Sequence, residues 1–128
     1  MENKKILIVD DEPDFVEVVK MRLSSEGYDI ITAGDGKECL EKVKSDKPDA
    51  VLLDIMMPNF NGLETLEVIR KDDKKLPVFI VTAFPNEERM GKARELGISG
   101  FIVKGSDLTK EIDTIKEVLR LSQKSKNK

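Results

Sequence analysis

Residues 50–54 read Ala-Val-Leu-Leu-Asp, four apolar positions in a row and then a carboxylate. A strand with one face in water alternates apolar and polar residues, whereas one covered on both faces is apolar throughout. The stretch therefore predicts an inner strand of a sheet with helices on both sides. Ile6-Leu7-Ile8-Val9 and Val78-Phe79-Ile80-Val81 have the same character. Phe101-Ile102-Val103 is shorter, and Asp29-Ile30-Ile31-Thr32-Ala33 ends in Thr32-Ala33 and offers little chemistry, as an outer strand would.

Amphipathic, charged stretches separate these runs. Phe15, Val19 and Leu23 recur at helical spacing, Leu40 and Val43 share a face, and Leu63, Leu66 and Ile69 follow. Met90, Ala93 and Leu96 mark a fourth helix, and Leu108, Ile112, Ile115 and Leu119 a fifth. Gly27, Pro48 and Gly97 fall where helices should stop. Regular strand–helix alternation implies an α/β domain with a parallel sheet and right-handed crossovers.

The chain has 128 residues, enough for one domain and no more. Lys and Arg total 22 against 25 Asp and Glu, a net charge of −3, which is not the basic footprint of a nucleic-acid binder. Cys39 is the one cysteine, so no internal disulfide can form; it reads as a small buried hydrophobe. There is no histidine, which removes Ser-His-Asp and Cys-His catalysis and any phosphohistidine of the chain's own. No stretch approaches the roughly 18 apolar residues of a membrane span, and the expectation is a cytoplasmic protein.

Ligands of open α/β sheets bind at the carboxyl ends of the strands. The first run ends in Asp10-Asp11, the third in Asp54, the fourth in Thr82 and the fifth in Lys104. Asp10, Asp11 and Asp54 would repel one another in a partly dry crevice, which either raises their pKa values or recruits a cation. Oxygen ligands in this number suit Mg²⁺, which keeps several waters and favours phosphate. With a hydroxyl and an ammonium close by, the set fits an acidic Mg²⁺ site that accepts a phosphoryl group on a carboxylate.

The segments Ile8-Val-Asp-Asp-Glu12, Leu53-Asp-Ile-Met-Met-Pro58 with Gly62, Val81-Thr-Ala83 and Phe101-Ile-Val-Lys104 together resemble a response-regulator receiver domain. Each motif alone is weak; four in order on the expected strand ends are specific. The resemblance spans Lys4 to about Leu121. It implies a flavodoxin-like doubly wound (βα)5 fold, with a parallel five-stranded sheet of order 2-1-3-4-5.

The resemblance also implies roles. Asp54 would be the phosphoacceptor. Asp11 would bind Mg²⁺ directly and Asp10 mainly through water, joined by Asp54 and the main-chain carbonyl of Met56. Thr82 would bond a phosphoryl oxygen, Lys104 would pair with the phosphate, and Phe101 would be the switch aromatic coupled to Thr82. Pro58 and Gly62 match the turn that leads from the third strand into its helix. The phosphodonor would be a sensor histidine kinase, with output through the surface of the fourth helix, fifth strand and fifth helix.

The expected organisation is a receiver over residues 1–121 and a polar, Lys-rich, fraying tail over 122–128, acting as a stand-alone regulator that is a monomer or a weak dimer on phosphorylation. It would assist its own phosphorylation and dephosphorylation without turning over a free substrate. Its partner downstream would be a protein target, or a histidine phosphotransferase if the chain is a phosphorelay intermediate, with no direct contact to nucleic acid or membrane.

Two departures stand out. One is Phe84, a large apolar group two residues past Thr82; with Met56 it flanks the expected path of the attacking water and implies a comparatively long-lived aspartyl phosphate. The other is the residue after Lys104. The family usually has Pro after the lysine, often with a cis peptide bond, and here Gly105 follows Lys104. Without Pro the cis form costs about 2.5–4 kcal/mol, so a trans or mobile bond is expected. That departure also admits a degenerate receiver that works without phosphorylation. Two rivals share parts of the pattern. A flavodoxin-type FMN carrier needs Ser, Thr and Gly amides in the first loop, where this chain has Asp-Asp-Glu-Pro-Asp. An aspartyl-nucleophile phosphatase usually has a second acid two residues past the first, where Met56 stands.

Overall fold

The computed structural model describes residues 3–57 and 60–126. Pro58, assigned above to a turn, and the last two residues of the predicted tail lie outside them. Five parallel strands form the sheet: β1 (Lys5–Val9), β2 (Asp29–Ala33), β3 (Ala50–Asp54), β4 (Val78–Thr82) and β5 (Gly100–Val103). Their spatial order is β2-β1-β3-β4-β5, the expected 2-1-3-4-5 arrangement. Five helices connect and follow them: α1 (Pro13–Ser25), α2 (Gly36–Asp46), α3 (Gly62–Asp72), α4 (Glu87–Glu95) and α5 (Thr109–Lys126).

The continuous apolar runs have the physical basis expected. Leu7, Val9, Val51, Leu53, Val78 and Ile80 belong to one core cluster, which Leu66 and Ile69 of α3 and Ala93 of α4 complete. The alternate residues Ile6, Ile8, Ala50, Leu52, Phe79 and Val81 belong to a second, with Val19 and Leu23 of α1 and Ile112, Ile115 and Leu119 of α5. Successive side chains point to opposite faces, so an inner strand feeding two cores can spare no polar position.

Helix starts follow local chemistry. The Asp35 carboxylate caps α2 by accepting from Glu38 N at 2.8 Å, while Glu38 reaches back to Gly34 N at 2.6 Å. Asn61 caps α3 and Asn86 caps α4 by accepting from main-chain N–H groups of the first turn. A two-residue antiparallel pairing, Met56–Met57 with Phe60–Asn61, links β3 to α3.

Gly62 then starts α3 under tight constraint. A Cβ there would lie 2.6 Å from Ile55 Cα and 2.7 Å from the Asp54 carbonyl oxygen. The close approach presses the start of α3 onto the residue that ends β3. Arg70, at the other end of α3, is buried and donates to the carbonyl oxygens of Leu96, Asp73 and Gly97 at 2.7–3.0 Å. It thereby ties the end of α3 to the end of α4.

Candidate functional site

Register decides which side chains can meet at the carboxyl edge. Val9 is level with Leu53 across β1 and β3, so the next residue of each strand end, Asp10 and Asp54, arrives at the same height. Asp54 is level with Val81 and Thr82 with Val103, which places Thr82 and Lys104 at the neighbouring strand ends. The Lys104 N–H donates to Thr82 O at 2.9 Å, holding that last step of the edge.

Carboxylate oxygens of Asp10, Asp11 and Asp54 lie within 4.8 Å of one another. Asp10 is 6% exposed and Asp54 2%, whereas Asp11 is exposed. The Asp10 Oδ1 accepts from Glu12 N at 2.8 Å, which closes the turn after β1. This bond lies outside α1, whose N-cap is Glu12, so Asp10 and Asp11 do not serve as caps. The Asp54 Oδ1 accepts from Met56 N at 2.8 Å, a matching turn after β3.

Lys104 enters this acid cluster instead of extending into solvent. Its Nζ lies 3.0 Å from Asp54 Oδ2, 3.0 Å from Asp10 Oδ2 and 2.5 Å from Glu12 Oε1, and 5.0 Å from the centre of the Phe15 ring. Burial works to lower the Lys104 pKa. The carboxylates of Glu12, Asp10 and Asp54 outweigh it and hold the group above the usual lysine value. Asp10 moves up from the usual carboxylate value. Burial is the main cause and the Asp54 charge adds to it, against the opposing bonds from Glu12 N and Lys104.

These residues suit a hard divalent cation. Their donors are oxygens from three carboxylates at the ends of two adjacent strands. Among the described residues the buried Asp10 Oδ2 accepts no hydrogen bond and meets the Lys104 ammonium at 3.0 Å. One ammonium facing three nearby acids leaves negative charge to neutralise.

Thr82 is 1% exposed, and its Oγ1 accepts from Phe84 N at 3.2 Å. Phe101 lies level with Ile80 on the same face as Thr82, because parallel partners point the same way and the face recurs every second residue. Its ring is half-buried against the α2–α4 core, with the Arg94 guanidinium 5.4 Å from its centre. The backbone at Met56 is held by its N–H bond to Asp54 and its pairing with Asn61. No cis peptide bond occurs among the described residues, and Gly105 has φ +87°. A proline, fixed near −65°, cannot adopt that conformation.

Two contributors escaped the sequence reading: Glu12, the nearest acid to Lys104, and Phe15, whose ring flanks the same ammonium. Phe15 registers in sequence only as an apolar residue at helical spacing. The acid following the Asp pair was a signal for Glu12, but nothing in spacing says that its side chain turns toward β5.

The family model for the response regulator receiver domain matches residues 6–116. The chain is 36% identical over 121 residues to the alkaline phosphatase synthesis transcriptional regulatory protein PhoP of Bacillus subtilis, covering 94% of this chain and 50% of that protein. It is 39% identical over 117 residues to the probable transcriptional regulatory protein TcrX of Mycobacterium tuberculosis, covering 91% and 47%. The chain thus spans about half the length of these curated relatives.

Among solved structures, a CheY-like receiver domain protein from Methanospirillum hungatei superposes with a TM-score of 0.90 at 29% identity, covering 97% of this chain and 99% of that one. The response regulator TrrA of Thermotoga maritima, solved in complex with Mg²⁺ and BeF, superposes with a TM-score of 0.81 at 36% identity, covering 90% and 98%. The acid-bearing strand ends follow from the residues and the strand order from the resemblance, and the family match runs through all of them: this chain belongs to the response regulator receiver domain family of two-component signalling.

Proposed function

We propose that this chain is a phosphorylation switch in which Asp54 accepts a phosphoryl group from a phosphohistidine on a sensor histidine kinase. The observation that carries the reading is one cluster: three carboxylates within 4.8 Å of one another, with the Lys104 ammonium 3.0 Å from Asp54. An oxygen of Asp54 forms the new O–P bond as the N–P bond of the phosphohistidine breaks, and the departing imidazole keeps the electron pair. Such transfer has a loose transition state, so positioning and charge neutralisation supply most of the catalysis.

In this reading Asp11, Asp54 and the main-chain carbonyl of Met56, with Asp10 mainly through water, would hold Mg²⁺, which would supply charge neutralisation for the phosphoryl oxygens. Lys104 leaves Asp54 to pair with the phosphoryl group, and the Thr82 hydroxyl donates to another of its oxygens. Phosphorylation adds a charge of about −1.5 to −2 at neutral pH and three strong acceptor oxygens where a carboxylate stood. Displacement of Thr82 and Lys104 then alters the space around Phe101 and the α4–β5–α5 surface that a downstream protein meets.

A cytoplasmic location belongs to the same proposal, and among the described residues no helix is long and apolar enough to cross a membrane. The chain acts on its own phosphoryl group and turns over no free substrate. Output by protein contact is the form proposed here. The names of the curated relatives attach the same kind of receiver to transcriptional regulation in proteins about twice as long.

Incubation with acetyl phosphate and Mg²⁺, followed by intact mass measurement, tests the reading. The expected result is a gain of one phosphoryl group that requires Mg²⁺ and is lost in Asp54→Ala. A protein that stays folded and gains no mass from either acetyl phosphate or phosphorylated histidine kinases would favour the degenerate receiver instead.

A further inference from the structure

Both oxygens of the proposed nucleophile are engaged at rest. Asp54 Oδ1 accepts from Met56 N at 2.8 Å and Oδ2 from Lys104 Nζ at 3.0 Å. A carboxylate oxygen keeps a lone pair free beside one such bond, but Lys104 must move from Oδ2 to the incoming phosphoryl group, so whatever else holds its ammonium affects how readily the site reacts.

Its nearest partner is outside the proposed metal cluster. Glu12 Oε1 lies 2.5 Å from Nζ, against 3.0 Å for both Asp10 and Asp54. Glu12 is also the N-cap of α1, a position where side chains usually accept from the first-turn N–H groups. Its carboxylate makes no such bond and reaches Lys104 instead.

The start of that reach is fixed. Glu12 N donates to Asp10, Glu12 O accepts from Val16 N at 3.1 Å, and Pro13 opens the helix. Phe15, three residues on and so on the same side of the helix, puts its ring 5.0 Å from the ammonium. Glu12 and Phe15 together make a holder for Lys104 at the rim of the site, where the Glu12 side chain is 60% exposed and that of Lys104 12%.

We propose that Glu12 is a positioning residue that holds the Lys104 ammonium at the mouth of the site, competes with an entering phosphoryl group for that charge, and so slows phosphorylation of Asp54. This rests on Asp54 being the phosphoacceptor. The carboxylate acts twice in the same direction, by retaining Lys104 and by repelling an anionic donor. Because Glu12 is partly exposed, the effect is modest.

Two measurements on the whole chain test it. The first is urea unfolding of the metal-free protein for the parent, Glu12→Gln, Lys104→Met and the double variant. If Glu12 acts through Lys104, Glu12→Gln lowers the midpoint in the parent and leaves it unchanged or raises it in Lys104→Met, where only acids remain. The same downward shift in both backgrounds overturns the proposal.

The second is the initial rate of Asp54 phosphorylation by acetyl phosphate at saturating Mg²⁺. Glu12→Gln should react about three- to fivefold faster, the scale of one partly exposed ion pair. A rate at or below the parent's overturns the proposal while leaving Asp54 as the acceptor. Absence of labelling in the parent by acetyl phosphate and by phosphorylated histidine kinases alike would remove the functional reading, and the proposal with it.

Discussion

At Gly62 a single hydrogen substitutes for a side chain that the fold cannot hold. The space a Cβ would need is taken by main-chain atoms of Asp54 and Ile55, which have no rotamer with which to move aside. Gly62→Ala must therefore push α3 away from the end of β3 or shift Asp54 itself. The expected cost is about 1–3 kcal/mol, the range of overpacking in a filled interior. A second consequence is a slower Mg²⁺-dependent gain of mass at Asp54, because transfer depends on placement to a fraction of an ångström. Urea unfolding and intact mass on the same variant check both, and a variant with the parent's midpoint and rate would show that the contact yields freely. Gly105 is constrained differently: it has open space around it but a φ of +87°. Restoring the family's proline at that position would rebuild the Lys104 loop instead of tightening the present one.

At the scale of elements, Arg70 decides how α3 and α4 are joined. Its guanidinium meets three carbonyl oxygens at and just beyond the helix ends, where main-chain acceptors lack intrahelical partners and the helix dipole favours a cation. Arg70→Met keeps much of the apolar stem but leaves those oxygens without their donor. It should lower stability by about 2–3 kcal/mol, and Arg70→Lys should recover only part of that, since one ammonium cannot reproduce the planar fork. Equal urea midpoints for Met and parent would show that water serves these carbonyls as well. Nothing in the sequence marks Arg70, which looks like one more charge on a Lys- and Glu-rich surface. Asp73, one of two adjacent acids, is equally unmarked in the sequence, yet its carboxylate accepts from Lys75 N and Leu76 N and shapes the turn into β4. The strands were legible because burial on two faces forces unbroken apolar runs such as Ile6–Val9. The strand-end residues Asp10, Asp54, Thr82 and Lys104 were legible because a polar group after such a run is conspicuous. Arg70, Glu12 and Asp73 were not, because their roles depend on where distant or turning main chain arrives, which periodicity does not encode.

Across the whole molecule, two dry cores press a sheet edge outward that carries more negative than positive charge. Asp10 takes the clearest share of that conflict, its pKa raised by burial first and by Asp54 second. A group whose folded pKa lies above its unfolded value contributes stability that is complete below the unfolded pKa and is lost as pH rises through the folded one. Ionising Asp10 in the metal-free protein therefore costs stability, and acid relieves that cost. Asp10→Asn keeps an oxygen for the Glu12 N–H and removes the charge. It should raise the metal-free stability near neutral pH by on the order of 1 kcal/mol, the scale of a buried polar group imperfectly satisfied. The advantage should shrink as pH falls toward the ordinary carboxylate range, where the parent's Asp10 is protonated as well. Mg²⁺ should reverse the order, stabilising the parent more than the variant, since a ligand adds stability as the logarithm of one plus its concentration over its Kd and the variant, having lost one of three acids, binds more weakly. Urea midpoints at neutral and acidic pH, each with and without Mg²⁺, measure all three effects. A variant less stable than the parent without metal at neutral pH would mean that the Lys104 pair outweighs the burial of Asp10, and that the edge is balanced before any cation arrives.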